Sequence, residues 1–95
     1  YAMHYRVTNL SFDVSRRDEF IAHADTLRDV MKSINGLESV RMCEVGEGEL
    51  VGMARYDSEK SATAAQPQVQ SILGQLADFM TGPPDSRVGS VIWDM

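Results

Sequence analysis

The chain has 95 residues, of which 43% are hydrophobic and 24% charged, and its fourteen acidic against nine basic side chains give a formal net charge of −5. A domain of this size buries only about 60 to 68% of the surface of its unfolded chain, so its core is thin and a partner subunit would help to stabilise it. The negative charge argues against nucleic acids and anionic membranes as partners, because both bind a clustered positive face.

The sequence shows no recognisable targeting signal. Its apolar runs are too short to span a bilayer, and no charged-then-apolar segment resembles a signal peptide. Cys43 is the only cysteine, which excludes an internal disulfide and a metal site built from cysteines. We therefore expect a cytoplasmic protein. We also expect Tyr1 and Ala2 to be cloning residues in front of a native start at Met3.

The first predicted element is a strand over Met3–Phe12. From Tyr5 to Thr8 the residues alternate in polarity, with the apolar ones at odd positions, and the alternation changes phase at Leu10. Period-two alternation of this kind is typical of a strand with one buried face.

A helix is predicted to follow, beginning at Arg16. Ser15, with Asp18 three residues later, is close to a capping box and places an acid at the positive end of the helix dipole. Apolar residues then recur every three or four positions, which indicates one buried face. These residues are Phe20, Ala24, Leu27, Met31 and Ile34, with Val30 widening the stripe. Gly36 stands where a left-handed helix cap is needed, so the helix is predicted to end there.

Two central strands come next. Leu37–Val45 and Leu50–Tyr56 are predicted to form a hairpin around the turn Gly46–Gly48, since glycines adopt the positive φ angles that tight hairpins require. Ser58 is the type of residue that caps a helix, so a short alanine-rich helix is predicted to begin after it.

A second helical segment and a last strand complete the chain. We expect a break near Gln66, because Pro67 cannot donate a backbone hydrogen bond to the preceding turn. The apolar stripe that follows is the strongest in the chain and comprises Val69, Ile72, Leu73, Leu76, Phe79 and Met80. Gly82 and Pro83 are residues that end a helix. The last strand is predicted over Val88–Trp93.

The order of elements, βαββαβ, predicts an α+β fold. It is the order of a ferredoxin-like protomer, in which a four-stranded antiparallel sheet carries both helices on one face. The third and fourth strands have apolar residues in both phases, so neither face of the sheet is predicted to face solvent. An apolar face of this extent is unusual on a soluble monomer. We therefore expect a homodimer in which the sheets pack face to face.

Three segments carry a family resemblance. Asn35-Gly36-Leu37 leads into the second strand, Ala54–Ser58 precedes an alanine-rich helix, and Phe79–Pro84 ends the last helix. In this order they resemble the antibiotic biosynthesis monooxygenase-like family. The resemblance implies a dimeric α/β barrel of ferredoxin-like protomers with a pocket between sheet and helices. It also implies oxidation of a small aromatic or polyketide-like compound by O₂, with no metal, flavin or other cofactor.

The fold does not fix the reaction, and two alternatives stay open. One is a non-catalytic dimeric module that binds a small hydrophobic or aromatic ligand or another protein. The other is an isomerase or decarboxylase on the same scaffold. No glycine-rich phosphate loop, nucleophile elbow or pair of histidines at ligand spacing is present in the sequence.

The resemblance also suggests site residues. Asn9 falls in the first strand, where haem-degrading members place a pocket asparagine. Their tryptophan and histidine on the second helix are absent, with Ala65 near the tryptophan position, which disfavours haem degradation. The oxygenases of the family surround their substrate with Asn, Trp, Tyr and Arg side chains. Residues of these types on predicted strands are Asn9, Arg41, Arg55, Tyr56 and Trp93.

We assign catalytic roles to Asn9, His23 and Arg55. Asn9 would hydrogen-bond a substrate oxygen, although Asn near a strand end often bonds local backbone. His23 lies at the edge of the buried helical stripe, where it would accept a proton; an ordinary flanking histidine is the alternative. Arg55 and Arg41 would meet across the sheet to bind a carboxylate or phenolate, or would form ion pairs with Glu44, Glu38 or Asp57.

The remaining candidates are substrate-binding residues. Tyr56 and Trp93 close the ends of two strands and would stack on an aromatic substrate, with core or interface packing as the alternative. His4 and Arg6 share one phase of the first strand and suit an anionic substrate. A position in solvent or at the dimer rim is the stronger expectation for both.

Overall fold

The computed structural model describes residues 3–95, so the prediction about Tyr1 and Ala2 concerns residues outside this range. The strands are β1 His4–Ser11, β2 Leu37–Gly46, β3 Glu49–Tyr56 and β4 Asp85–Ser90. The helices are α1 Arg17–Thr26, α2 Arg28–Lys32, α3 Glu59–Ala64 and α4 Gln66–Leu76, and short 3₁₀ helices cover Val14–Arg16 and Ala77–Phe79. The strands form one antiparallel sheet in the order β2-β3-β1-β4. The predicted ferredoxin-like α+β class is confirmed.

The central strand β1 keeps one register along its whole length. It pairs with β3 from His4, opposite Tyr56, to Ser11, opposite Glu49, without a bulge. Because no residue is inserted, the side chains cannot change face, and Arg6, Thr8 and Leu10 are all buried on the side of the helices. The predicted change of phase at Leu10 is therefore wrong, and so is the expectation that Arg6 lies in solvent or at a rim.

The first helical region differs from the prediction in two ways. Its cap is Asp13, whose Oδ1 accepts hydrogen bonds from Ser15 N at 3.0 Å and Ser15 Oγ at 2.7 Å, so a 3₁₀ turn precedes α1. The helix is also interrupted at Leu27. The Thr26 hydroxyl donates to the carbonyl of His23 at 2.6 Å, and the Leu27 N–H bonds Ala24 O instead. A side chain competing for a backbone carbonyl thus separates α1 from α2.

The predicted turns and caps are largely confirmed. Gly36 has the positive φ predicted for it, +79°, but it lies in the turn before β2, because α2 already ends at Lys32 with Ser33 as its C-terminal cap. The hairpin turn is tighter than predicted, because Gly46 still belongs to β2 and only Glu47 and Gly48 lie outside the strands. Ser58 caps α3 by accepting a hydrogen bond from Ser61 N at 3.1 Å. The helices break at Ala65, directly before Gln66.

The core lies between the helices and the even-numbered residues of β1 and β3. It comprises Leu10, Phe12, Phe20, Leu27, Ile34, Leu50, Tyr56, Ala62, Ala65, Ile72, Leu76 and Phe79. Phe20 stacks on Phe12 with ring centroids 5.2 Å apart and meets Phe79 edge-on at 5.7 Å. Each such side chain contributes about 1.5–3 kcal/mol on burial. Val30, predicted to widen the buried stripe, is exposed.

The last strand begins and ends earlier than predicted. It covers Asp85–Ser90, because within the described residues it pairs with β1 alone and Ser90 already lies opposite His4, the first residue of that strand. Val91 adds one backbone hydrogen bond to Met3 O at 3.1 Å. Trp93, predicted to close this strand, lies beyond it and is 73% exposed.

The face of the sheet opposite the helices is here called the open face. The strand registers place Tyr5, Val7, Val51 and Met53 on it, and Val7 is 38% exposed. Apolar residues therefore occupy both faces, as predicted, and the dimer argued from this pattern stays a prediction. Of the helices in the described range, none is long and apolar enough to cross a membrane.

Candidate functional site

A cleft of about 550 Å³ lies between the first two helices and strand β2. Its walls are Phe20, Ile21 and Ala24 on the helical side and Val40 and Met42 on the strand. The helical spacing and the strand alternation each present apolar side chains to this space. We call it the outer cleft.

An ion pair closes one end of the outer cleft. Arg17 donates from Nε and Nη2 to the two carboxylate oxygens of Glu44, at 2.8 Å and 2.7 Å, and Gly48 N donates to Glu44 Oε2 at 3.1 Å. The hydrogen bond from Arg17, followed by that from Gly48, lowers the pKa of Glu44 to about 2. Helix α1 is thereby tied to the β2–β3 hairpin.

The opposite end of the outer cleft is also charged. Arg28 pairs with Asp25 at 2.7 Å, and Glu38 accepts from Arg55 Nε at 3.1 Å. Asp25, Arg28, Lys32 and Glu38 line this end. The outer cleft is thus an apolar channel with polar rims, which suits a flat hydrophobic molecule that carries polar groups at its ends.

A smaller pocket of about 90 Å³ lies deeper, between the sheet and α4. We call it the inner pocket. On the helical side it is lined by Ile72, Leu73 and Leu76 of α4. On the side of the sheet it is lined by Arg6 and Thr8 of β1. The residues that line both spaces are Met31, Leu37, Val40, Met42 and Leu50. The inner pocket and the outer cleft are therefore adjacent, and these five apolar residues form the boundary between them, which we call the waist.

Arg6 is the one charged residue among the described residues that line the inner pocket. It is 4% exposed. Its guanidinium donates to Gln66 Oε1 at 2.7 Å, to Ala62 O at 2.9 Å and to Ser86 Oγ at 3.4 Å. It also lies 6.0 Å from the centre of the Tyr56 ring. All of these neighbours are neutral.

Of the predicted site residues, Asn9, Arg41 and Arg55 lie on the open face. The register places Asn9 opposite Val51 and Arg41 opposite Met53, and neither Asn9 nor Arg41 lines the outer cleft or the inner pocket. Arg55 forms the ion pair with Glu38 that was the alternative to a substrate role. The structure therefore groups these three side chains on one face but places none of them in the inner pocket.

The other predicted residues are dispersed. Tyr56 is buried and lines the inner pocket. His23 lies against Phe79, with ring centroids 5.7 Å apart, and lines neither cavity. Trp93 lies beyond β4, at a shallow depression on the open face that Tyr5 and Val7 also line. The catalytic roles given to Asn9, His23 and Arg55 stay predictions.

Sequence reasoning placed Arg6 on the wrong face, although a signal for its position exists. The helix-facing phase is marked by Leu10 and Phe12, and counting back two residues at a time from them reaches Thr8 and Arg6. An unbroken strand must keep this phase. In the part of the chain that the structure describes, no group of three or more His, Cys, Asp or Glu side chains is arranged to hold a metal ion.

Comparisons with known proteins define the class of fold. No protein-family model and no curated protein matches the sequence. Solved structures do match. A provisionally named antibiotic biosynthesis monooxygenase from Bordetella bronchiseptica has a TM-score of 0.80 at 11% identity, covering 98% of this chain and all of its own.

Two matching structures have more specific names. A monooxygenase of Streptomyces coelicolor, solved in complex with nanaomycin D, has a TM-score of 0.78 at 15% identity, covering 99% of this chain and 91% of its own. SnoaB, a cofactor-independent oxygenase from Streptomyces nogalater, has a TM-score of 0.77 at 11% identity, with coverage of 100% and 98%. The chain thus has the fold of the antibiotic biosynthesis monooxygenase-like proteins, and the predicted resemblance is confirmed at the level of the fold.

Proposed function

We propose that the protein is a cofactor-independent monooxygenase that acts on a small aromatic or polyketide-like compound. The observation that carries the proposal is the outer cleft with its inner pocket, an apolar space of suitable size within a fold shared by structures named as oxygenases. One of those structures was solved in complex with nanaomycin D. At the identities found, this likeness supports the scaffold, and the reaction is our proposal.

In this mechanism the substrate supplies the electrons. An anthrone-like substrate would lose a proton, and the resulting anion would react with O₂. Its methylene would become a carbonyl; one oxygen atom would stay in the product and the other would leave as water with both methylene hydrogens. The protein would hold the ring between apolar walls, exclude bulk water, and favour the anion with hydrogen-bond donors.

Oxygen uptake tests this proposal. Wild-type protein, treated with EDTA, should consume O₂ with anthrone or a naphthohydroquinone faster than the buffer does, and one molecule of anthrone oxidised should consume one of O₂. Val40→Trp should reduce the rate at least tenfold, because Val40 lines both cavities and the indole would fill the waist between them.

Gln75→Trp is the matched control, since Gln75 is exposed on α4 and lines neither cavity. It should leave the rate unchanged. O₂ uptake no faster than in buffer with both substrates would contradict the proposal. Equal rates for Val40→Trp and Gln75→Trp would show that the reaction does not take place in the outer cleft or the inner pocket.

A second candidate function is ligand binding without catalysis. It is favoured by one observation: neither His4 nor His23 lines the outer cleft or the inner pocket, so neither of the two histidines is placed to accept a proton there. Binding of aromatic compounds without O₂ uptake would support this candidate.

We further propose that two copies of the chain pack through the open face. Tyr5, Val7, Val51 and Met53 on that face support the proposal, because burying them removes apolar surface from water. A second copy would also cover Asn9, Arg41 and Arg55, and any role of these residues would then be exercised at the interface.

A further inference from the structure

Arg6 is a buried cation whose observed hydrogen-bond partners are all neutral. Among the described residues, no carboxylate lies within ion-pair distance of its guanidinium, and its partners are an amide, a backbone carbonyl and a hydroxyl. Its Nε is buried and has no hydrogen-bond partner. Buried charges are normally paired and buried donors are normally satisfied. This side chain therefore combines an unneutralised charge with an unused donor, and the residue lines the inner pocket.

The other arginines around the two cavities differ from Arg6 in this respect. Arg17 already binds Glu44 through two hydrogen bonds, and Arg28 already binds Asp25. Their charges are compensated at the rim of the outer cleft. In the described range, the contacts of Arg6 are neutral dipoles and the face of the Tyr56 ring. A negatively charged ligand group would therefore gain most by reaching Arg6.

We propose that Arg6 is the anion-binding residue of the inner pocket, and that the ligand is a planar aromatic compound with a carboxylate or an ionised phenol at one end. This inference rests on the proposed function, from which it takes the assignment of the outer cleft and the inner pocket as the substrate site. The inner pocket, of about 90 Å³, is much smaller than the outer cleft, of about 550 Å³. In this arrangement the smaller inner pocket would receive the carboxylate and the outer cleft would receive the ring system.

Thr8 supports Arg6 in this arrangement. Its hydroxyl donates to Ser86 Oγ at 3.2 Å, and the same Ser86 oxygen accepts from Arg6 Nη1 at 3.4 Å. Gln66 fixes Nη1 from the other side at 2.7 Å. The guanidinium is thus held in place before a ligand arrives, and a preorganised donor loses less entropy on binding.

The test compares two probes that differ in charge and hardly in shape, 2-naphthoate and 2-naphthamide. Calorimetric titration of the wild-type protein at pH 7 should give at least tenfold tighter binding for the acid. Arg6→Gln should bring the two affinities within twofold of each other. Arg87→Gln is the matched control, because Arg87 is a strand arginine that is largely exposed and pairs with Asp85; it should keep the wild-type preference.

A measurement on the wild-type protein covers the case in which Arg6→Gln does not fold. The ¹⁵Nε–¹Hε resonance of Arg6 should move downfield with 2-naphthoate and stay in place with 2-naphthamide, because only the acid brings a negative charge to the guanidinium. Equal affinity for both probes, binding of neither, or an unmoved Arg6 resonance would overturn the proposal.

These outcomes are separate from those of the proposed function. Acid-selective binding that moves the Arg6 resonance, without any O₂ uptake, would refute the proposed oxygenase reaction and support the anion site. O₂ uptake with neutral substrates, together with equal affinity for 2-naphthoate and 2-naphthamide, would support the oxygenase reaction and refute the anion site.

Discussion

Replacing Gly36 with alanine should destabilise the protein by about 2 to 5 kcal/mol. Gly36 has φ +79°, and an L-residue pays about 1–2 kcal/mol in the left-handed region. A Cβ at this position would also overlap the Ser61 side chain and lie 2.6 Å from Asp57 Oδ1. Overpacking of this kind typically costs about 1–3 kcal/mol, and the two costs sum to the range given.

The overlap falls on a junction between two parts of the chain. Asp57 N donates to Gly36 O at 2.8 Å, and Ser61 Oγ donates to Asp57 Oδ1 at 2.6 Å. The connection from α2 to β2 is thereby tied to the start of α3. The alanine methyl would push these groups apart, so part of the cost should appear as loss of this network.

Urea unfolding followed by circular dichroism measures the effect, through a lower midpoint at unchanged slope. Gly74→Ala is the matched control. Gly74 lies inside α4, and a methyl group there would meet no atom of another residue within 4 Å apart from its own helix backbone and chain neighbours. Alanine at this position should therefore stabilise by about 0.5–1 kcal/mol. A Gly36→Ala midpoint equal to that of the wild type would refute the reasoning.

Three further predictions concern the core, the pH dependence and the assembly. Leu76→Ala should lower the stability by about 2–5 kcal/mol, because Leu76 is 3% exposed between α4 and the sheet; an unchanged urea midpoint would remove α4 from the core. The folded pKa of Glu44 is lowered from 4.5 to about 2, so its stabilisation is present above pH 4.5 and is lost as the pH falls towards 2. Glu44→Gln should therefore lower the urea midpoint at pH 7, and the difference from wild type should shrink between pH 4.5 and 2; a difference independent of pH would contradict the assignment. Light scattering at micromolar concentration should give twice the protomer mass of 10.6 kDa, whereas a monomer would contradict packing through the open face.

Local chemistry made several parts of the fold predictable. Gly36 and Ser58 have one conformational or capping role each, and both roles are found. The break before Gln66 follows from Pro67 in the same way. Such signals act within a few residues of their own position, so the sequence alone is sufficient to read them.

Features that depend on distant partners were not predictable in this way. The end of β4 is set by where β1 begins, and the interruption at Leu27 is set by how the Thr26 hydroxyl is oriented. The candidate site shows the same limit. Asn9 and Arg55 have suitable chemistry, but the strand registers place them on the open face, and registers depend on pairing across the sheet.

The misplacement of Arg6 has a different cause, since the register of β1 was readable from Leu10 backwards. The binary pattern assumes that polar side chains face solvent, and Arg6 and Thr8 break this assumption on a central strand of the sheet. A leucine at position 6 would fit the alternation and would carry no desolvation cost. Local rules that favour stability are commonly broken at binding sites, where a polar group is retained for a ligand. The burial of Arg6 and Thr8 on β1 is thus the departure from the simple pattern on which the proposed anion site in the inner pocket depends.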